Sequence, residues 1–230
     1  MEFEIEAKEK AIITVVGVGG AGINAVNHMI AKGLEDIAFI AADTDEQALG
    51  KSLAKSKIHI PSTFGQEISA AANPELGDPA VMESVDKFKA ALGGSDMVYV
   101  VAGMGGTTGS GYAPMIAGVA KQFGSLTVGV ATQPFSFEPS ARLRSSAAGL
   151  EVFRKHVDSL IIIPNDRILQ LLPKEATFEE VLKKADEFLY HAVKGPSDLI
   201  LRSELIAVDF YDVRTVLAES GTARMAFGRA

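Results

Sequence analysis

An apolar, strand-like run, Met97 to Val101, passes straight into Ala102-Gly103-Met104-Gly105-Gly106-Thr107-Thr108-Gly109-Ser110-Gly111. Glycines lack a Cβ, so successive N–H groups can turn inward on an anion at φ values other residues avoid, while Thr108 and Ser110 add hydroxyl donors. A helical pattern follows from about Ser110 to Gln122, and its positive N-terminal end faces the same anion. The order strand, bare loop, helix therefore commits the chain to holding phosphate at a strand's C-terminal end. The plainer alternative is a turn used only for tight packing, but turn glycines seldom come five in nine residues with hydroxyls between them.

A second cluster repeats the pattern near the N-terminus. Ala11 to Val16 leads into Gly17-Val18-Gly19-Gly20-Ala21-Gly22 and a helical stretch, Ile23 to Lys32. Asp43 ends the next apolar run, about where a dinucleotide-binding unit keeps its ribose-binding carboxylate. Taken alone this reads as a nicotinamide-binding enzyme. That reading leaves Gly103 to Gly111 unexplained, and two phosphate loops suggest a longer phosphate chain. No G-x-x-x-x-G-K-[ST] occurs, and neither cluster contains a lysine, so phosphate is met mainly by N–H groups, a helix dipole and a bound cation.

Further apolar runs, Ile12 to Val16, Ala38 to Ala42, Ile58 to Pro61, Leu126 to Thr132 and Ser159 to Ile163, alternate with helical patterns. This predicts an α/β, Rossmann-like fold: a mainly parallel sheet with helices on both faces and ligands beyond the strands' C-terminal ends. Residues 62–77 read as a polar loop, and Val81 to Leu92 as a helix. Thr177-Phe178-Glu179-Glu180 is a capping box, and apolar positions 178, 181, 182, 185, 188, 189 and 192 keep helical period. The helix they predict ends near Gly195-Pro196 or continues past a kink.

The chain's 230 residues carry a net charge of −7, no Cys and no Trp. The charge makes nucleic acid an unlikely partner, and the missing thiols exclude disulfides and fit a cytoplasmic protein. His28, His59, His156 and His191 lack ligand spacing, so no metal site is expected from side chains. No run approaches a membrane span, and the acidic Met1 to Glu6 is unlike a signal peptide.

With these residues in view, the chain resembles FtsZ, the bacterial member of the tubulin superfamily, along nearly its whole length. Gly103 to Gly111 resembles the signature loop, Gly17 to Asn24 the first phosphate loop, and Asp43-Thr44-Asp45 the loop after the second strand. Asn73 to Gly77, Pro134 to Glu138, Ile163 to Arg167, Val208 to Phe210 and Asp212 to Val216 follow in the family's order. The resemblance implies a GTP-binding domain over 1–176, a central linking helix over 177–200, and over 201–230 a catalytic segment with the stub of a C-terminal domain at Phe227 to Ala230. It favours a fragment of a longer protein.

By the same resemblance Gly19, Gly20, Gly22 and Asn24 line the first loop, Asp43 the next, and Gly103, Gly105, Gly106, Thr107, Thr108, Gly109 and Ser110 cradle the triphosphate. Glu138 and Arg142 meet ribose and phosphate; Asn165 and Asp186 read the guanine edge, which offers N1–H and amino donors that adenine lacks. GTP or GDP is the implied ligand, with Mg2+ held mainly by the phosphates. Asp209 and Asp212 are the implied catalytic acids, acting on a neighbouring subunit's γ-phosphate in a head-to-tail filament of a bacterial division cytoskeleton, alone or with a related FtsZ. Taken singly, Glu138 could cap its turn, Asp186 could be a solvated helix residue, and Asp212 could N-cap a helix over Val213 to Ser220.

Thr107 in place of a signature-loop glycine, Glu67 and Ser69 to Ala71 in the γ-phosphate loop, Leu182 where an aromatic packs on the base, and Glu204 and Ala207 in the catalytic segment depart from the family. They leave open a paralogue that binds GTP without turning it over. A nicotinamide-dependent oxidoreductase, built on Gly17 to Gly22, stays as the rival from another class; it predicts stabilisation by NAD and none by GTP.

Overall fold

The computed structural model describes residues 10–61, 79–202 and 209–223. Met1 to Glu6, Glu67, Ser69 to Ala71, the Asn73–Gly77 motif, Glu204, Ala207 and Phe227 to Ala230 lie outside the described residues. Among the described residues seven strands form one sheet: β1 (Ile13–Val18), β2 (Ile37–Asp43), β3 (Ser56–His59), β4 (Met97–Gly103), β5 (Leu126–Gln133), β6 (Ser159–Pro164) and β7 (Gly221–Ala223), in the order β3-β2-β1-β4-β5-β6-β7. Every neighbouring pair is parallel, so the α/β Rossmann-like fold is as the sequence predicts. β2 projects three residues below the start of β3, which first pairs at Ile40 with Ser56.

The strands read as unbroken apolar runs because both faces are covered, and all six residues of β1 are buried. Alternate side chains feed two cores. One joins Val16, Val98 and Val100 to Phe88 of α3 (Pro79–Leu92), Tyr112 of α4 (Thr107–Gln122) and Phe153 of α5 (Ser140–His156). The other joins Val15, Tyr99 and Val101 to Val26 and Met29 of α1 (Gly19–Ala31) and to Leu189 and Val193 of α7 (Phe178–Leu201). In chain order α2 (Glu46–Gly50) follows β2 and α6 (Asn165–Leu169) follows β6, with α8 (Phe210–Leu217) after α7. No helix among the described residues is long and apolar enough to cross a membrane.

Strand order reverses between β1 and β4, where Val18 pairs with Ala102. The two glycine loops therefore leave adjacent strands at one height on one rim, the crevice where open α/β sheets bind ligands.

Several boundaries differ from expectation. α1 opens at Gly19 rather than Ile23, and α4 at Thr107 rather than Ser110. Glycine is a poor helix former, but here it lets backbone approach backbone: a Cβ on Gly22 would lie 2.4 Å from the Val101 carbonyl oxygen, so α1 can rest on β4 only if residue 22 is bare. α7 carries the predicted capping box at Thr177 and runs through Pro196 to Leu201. α8 begins three residues earlier than expected, and its N-cap is Asp209, not Asp212. The β7 strand extends the same sheet past β6, with the Gly221 N–H donating to the Asp158 carbonyl at 3.1 Å.

Candidate functional site

A cleft of about 470 Å³ opens on that rim, within the roughly 300–1,000 Å³ usual for small-molecule sites. Its floor is the start of α1, with Gly19, Gly20 and Asn24, beside Gly103 at the end of β4 and Gly106, Thr107, Thr108 and Gly109 after it. Phe135, Glu138 and Arg142, following β5, make one wall. Asn165 after β6 and Phe178, Leu182 and Asp186 on α7 make the other.

The floor suits an anion. Val18 and Gly106 are the N-caps of α1 and α4, and neither helix has a side-chain cap or an acid in its first turn. Their N-terminal N–H groups and dipoles are thus left to whatever enters the cleft. By contrast α2 and α8 are capped by Asp45 and Asp209. The Thr108 and Thr44 hydroxyls lie 3.0 Å apart and tie the signature loop to the loop after β2.

Four expected residues shape the cleft from behind instead of lining it. The Ser110 hydroxyl is fully buried and accepts the Gly105 N–H at 2.8 Å, holding the loop closed where Gly105 takes φ +101°. Gly22 is packing space, as described. Asp43 is buried, and its Oδ1 accepts the N–H groups of Thr44 at 2.7 Å and Asp45 at 3.2 Å. That oxygen serves its own turn, so the position of Asp43 has a local explanation that does not call for a dinucleotide.

At the wall, Glu138 accepts the Phe135 N–H through Oε1 at 2.8 Å and pairs through Oε2 with Arg142 Nε at 3.1 Å. It therefore caps its turn while facing the cleft, with the Arg142 guanidinium beside it.

The other end carries two side-chain acceptors, Asn165 and Asp186. Asn165 is 9% exposed and its Oδ1 has no hydrogen-bond partner, a state that costs about 1–3 kcal/mol if left unmet. Burial pushes the Asp186 carboxyl up to about 7, with no cation beside it to offset desolvation. Two acceptors at the end of one cleft suit a ligand edge that presents donors.

Asp209 and Asp212 do not line this cleft. They cap α8 reciprocally: Asp209 accepts the Tyr211 N–H at 3.1 Å, and Asp212 accepts the Asp209 N–H at 3.1 Å. A larger hollow of about 610 Å³, lined by Ile30, Leu34, Ile37, Phe39, Leu53 and Ala91 among others, sits at the opposite rim. It is mostly apolar and away from both glycine loops, so volume alone does not make it the site.

Residues 12–173 match the Tubulin/FtsZ family, GTPase domain. Among solved structures the chain is similar to an FtsZ dimer from M. jannaschii, with 39% identity and TM-score 0.82 over 94% of this chain and 63% of that one. A mutant FtsZ from M. jannaschii matches at 40% identity and TM-score 0.81, over 94% and 64%. CetZ2 from Haloferax volcanii, a GTPgS-bound protofilament, shares the fold at 22% identity and TM-score 0.72, over 92% and 64%. The chain thus spans less than two thirds of the length of these proteins.

Proposed function

Because the chain belongs to the Tubulin/FtsZ family, we propose that it binds GTP and GDP in the cleft, assembles head to tail with copies of itself, and hydrolyses GTP where two copies meet. One observation carries the reading: on a single rim, two uncapped helix starts face a cleft whose far end holds Asn165, its buried Oδ1 without a partner, and the Asp186 carboxyl. The separation suits one ligand that is anionic at one end and rich in donors at the other.

On this reading the N–H groups around Gly19, Gly20, Gly106 and Gly109 hold the phosphates, Arg142 adds positive charge, and Asn165 with Asp186 accepts from the guanine edge. Among the described residues no group of three or more His, Cys, Asp or Glu could hold a metal ion. Magnesium, when bound, would be held mainly by the phosphates and would neutralise their charge. Asp209 and Asp212, absent from their own subunit's cleft, reach the γ-phosphate of the next copy, where they orient the attacking water and accept its proton. That M. jannaschii FtsZ is described as a dimer and CetZ2 as a protofilament supports self-association. In the cell the reading places the protein in the cytoplasm, in the filaments of division, alone or with a related FtsZ.

A second reading, binding and assembly without turnover, is favoured by the reciprocal cap that occupies both acids and by Thr107, whose Cβ stands in the cleft. The test is phosphate release measured across protein concentration, with sedimentation in GTP, GDP and ATP, with and without magnesium. A concentration threshold followed by a rising specific rate is expected. GTP-dependent sedimentation with flat, negligible release selects the second reading. Stabilisation by NAD or ATP and none by GTP refutes both.

A further inference from the structure

The cleft has an aromatic surface that phosphate chemistry does not use. Phe178, the first residue of α7, lines it and is 58% exposed. With exposed Leu182 in the same cleft and exposed Phe137 on the far side of Phe135, it belongs to a contiguous apolar patch, and such patches mark ligand-binding grooves. Phe178 is held from behind: its ring lies 5.7 Å from that of Phe135, tilted 51°, and Phe135 is 2% exposed and stacks on Phe137 at 5.0 Å. The buried member fixes the cluster, and Phe178 presents its free surface to the cleft.

Position on the helix decides what that surface meets. Residues 178, 182 and 186 are spaced by four, so they share one face of α7, rising about 6 Å per step. All three line the same cleft. The middle one, Leu182, is also partly open, but an aliphatic side chain has no π-face to offer. We infer that Phe178 is the aromatic wall of the base subsite, so that the ring of the base lies on Leu182 and against Phe178 while its polar edge meets Asp186. This inference rests on the nucleotide reading above and adds to it the residue that gives the base its stacking contact. Stacking on an aromatic side chain is worth about five- to a hundredfold in affinity and tolerates any base, so Phe178 sets affinity for nucleosides over bare polyphosphate, while Asp186 sets the choice of guanine.

The protein contains no tryptophan, so Phe178→Trp introduces a single reporter at the site. Titrations of wild type, Phe178→Ala and Phe178→Trp with GTP, GDP and inorganic tripolyphosphate test the inference. Phe178→Ala is expected to weaken GTP and GDP alike by about five- to a hundredfold and to leave tripolyphosphate affinity unchanged. Phe178→Trp is expected to keep nucleotide affinity, with emission quenched by GTP and GDP but not by tripolyphosphate. Wild-type affinity in Phe178→Ala, equal losses for tripolyphosphate, or a silent tryptophan while calorimetry detects GTP overturns the role of Phe178 and leaves the nucleotide reading standing. No GTP binding by the wild-type protein overturns both.

Discussion

Replacing Asp186 by Asn separates what the residue costs the fold from what it does for a ligand. Its carboxyl sits at about 7, against 3.8 for a free aspartate, because burial disfavours the charged form. At roughly 1.4 kcal/mol per pH unit that difference is worth at most about 4 kcal/mol; water reaching this partly exposed group reduces it to about 2 kcal/mol. The raised value means the folded protein binds a proton that the unfolded chain has lost between pH 4 and 7. Stability from this group is thus complete below about pH 4, falls as pH rises, and is gone above about 7. Asp186→Asn, permanently neutral, should match wild type near pH 4 and exceed it by about 2 kcal/mol at pH 8. Urea unfolding at both pH values reads the difference. Ligand binding should move the other way. A guanine edge needs the carboxylate, so wild-type GTP affinity should fall below pH 7 toward a tenfold loss per pH unit. The Asn variant should bind about 10- to 100-fold more weakly at pH 8, the value of hydrogen bonds to a charged group, without that pH dependence. A variant less stable than wild type at pH 8 would refute the burial argument, and undiminished GTP affinity there would refute the base contact.

Gly22→Ala should lower stability by about 1–3 kcal/mol, since its Cβ would meet the Val101 carbonyl oxygen at 2.4 Å. Gly20→Ala, with nothing within 4 Å, should unfold at the wild-type urea concentration or above, so any loss appears in GTP calorimetry alone. Ser110→Ala strands the buried Gly105 N–H and should cost about 1–3 kcal/mol in the same unfolding assay; an unchanged midpoint would show that the hydroxyl does not hold the loop. Asp212→Asn keeps an acceptor for the α8 cap, so the isolated subunit should bind GTP normally while phosphate release at high protein concentration drops at least tenfold. Lost affinity in the isolated subunit would contradict action across an interface.

Much of this architecture was legible because parallel strands buried on both faces must be apolar throughout, and the runs at Met97 and Leu126 begin where β4 and β5 begin. The helix starts were not legible. Gly19 to Gly22 and Thr107 to Gly109 have weak helical propensity, and only their close approach to the sheet makes them helix. β7, three residues long, is too short to carry a period. Within the site the glycine loops announced themselves, and Asp43 had the right spacing but a local task. The apolar positions of α7 all look alike in sequence. Val181 turns to the core, Ala185 and Leu189 are buried at the back of the cleft, and Phe178 and Leu182 stay open at it, a division fixed by where α7 lies and not by its period.

The overhang of β2 leaves Ile37, Ala38 and Phe39 bonded to β1 on one side and to no strand among the described residues on the other. Such a margin is a template for any extended peptide that slides alongside. Glu35, Asp36 and Lys55 stand at its foot, and Asp36 is bridged to Lys10. On the head-to-tail assembly proposed above, these ions would act as fenders on the flank. Stripping them would be expected to turn ordered end-on growth into sideways clumping, visible as turbidity that needs no nucleotide.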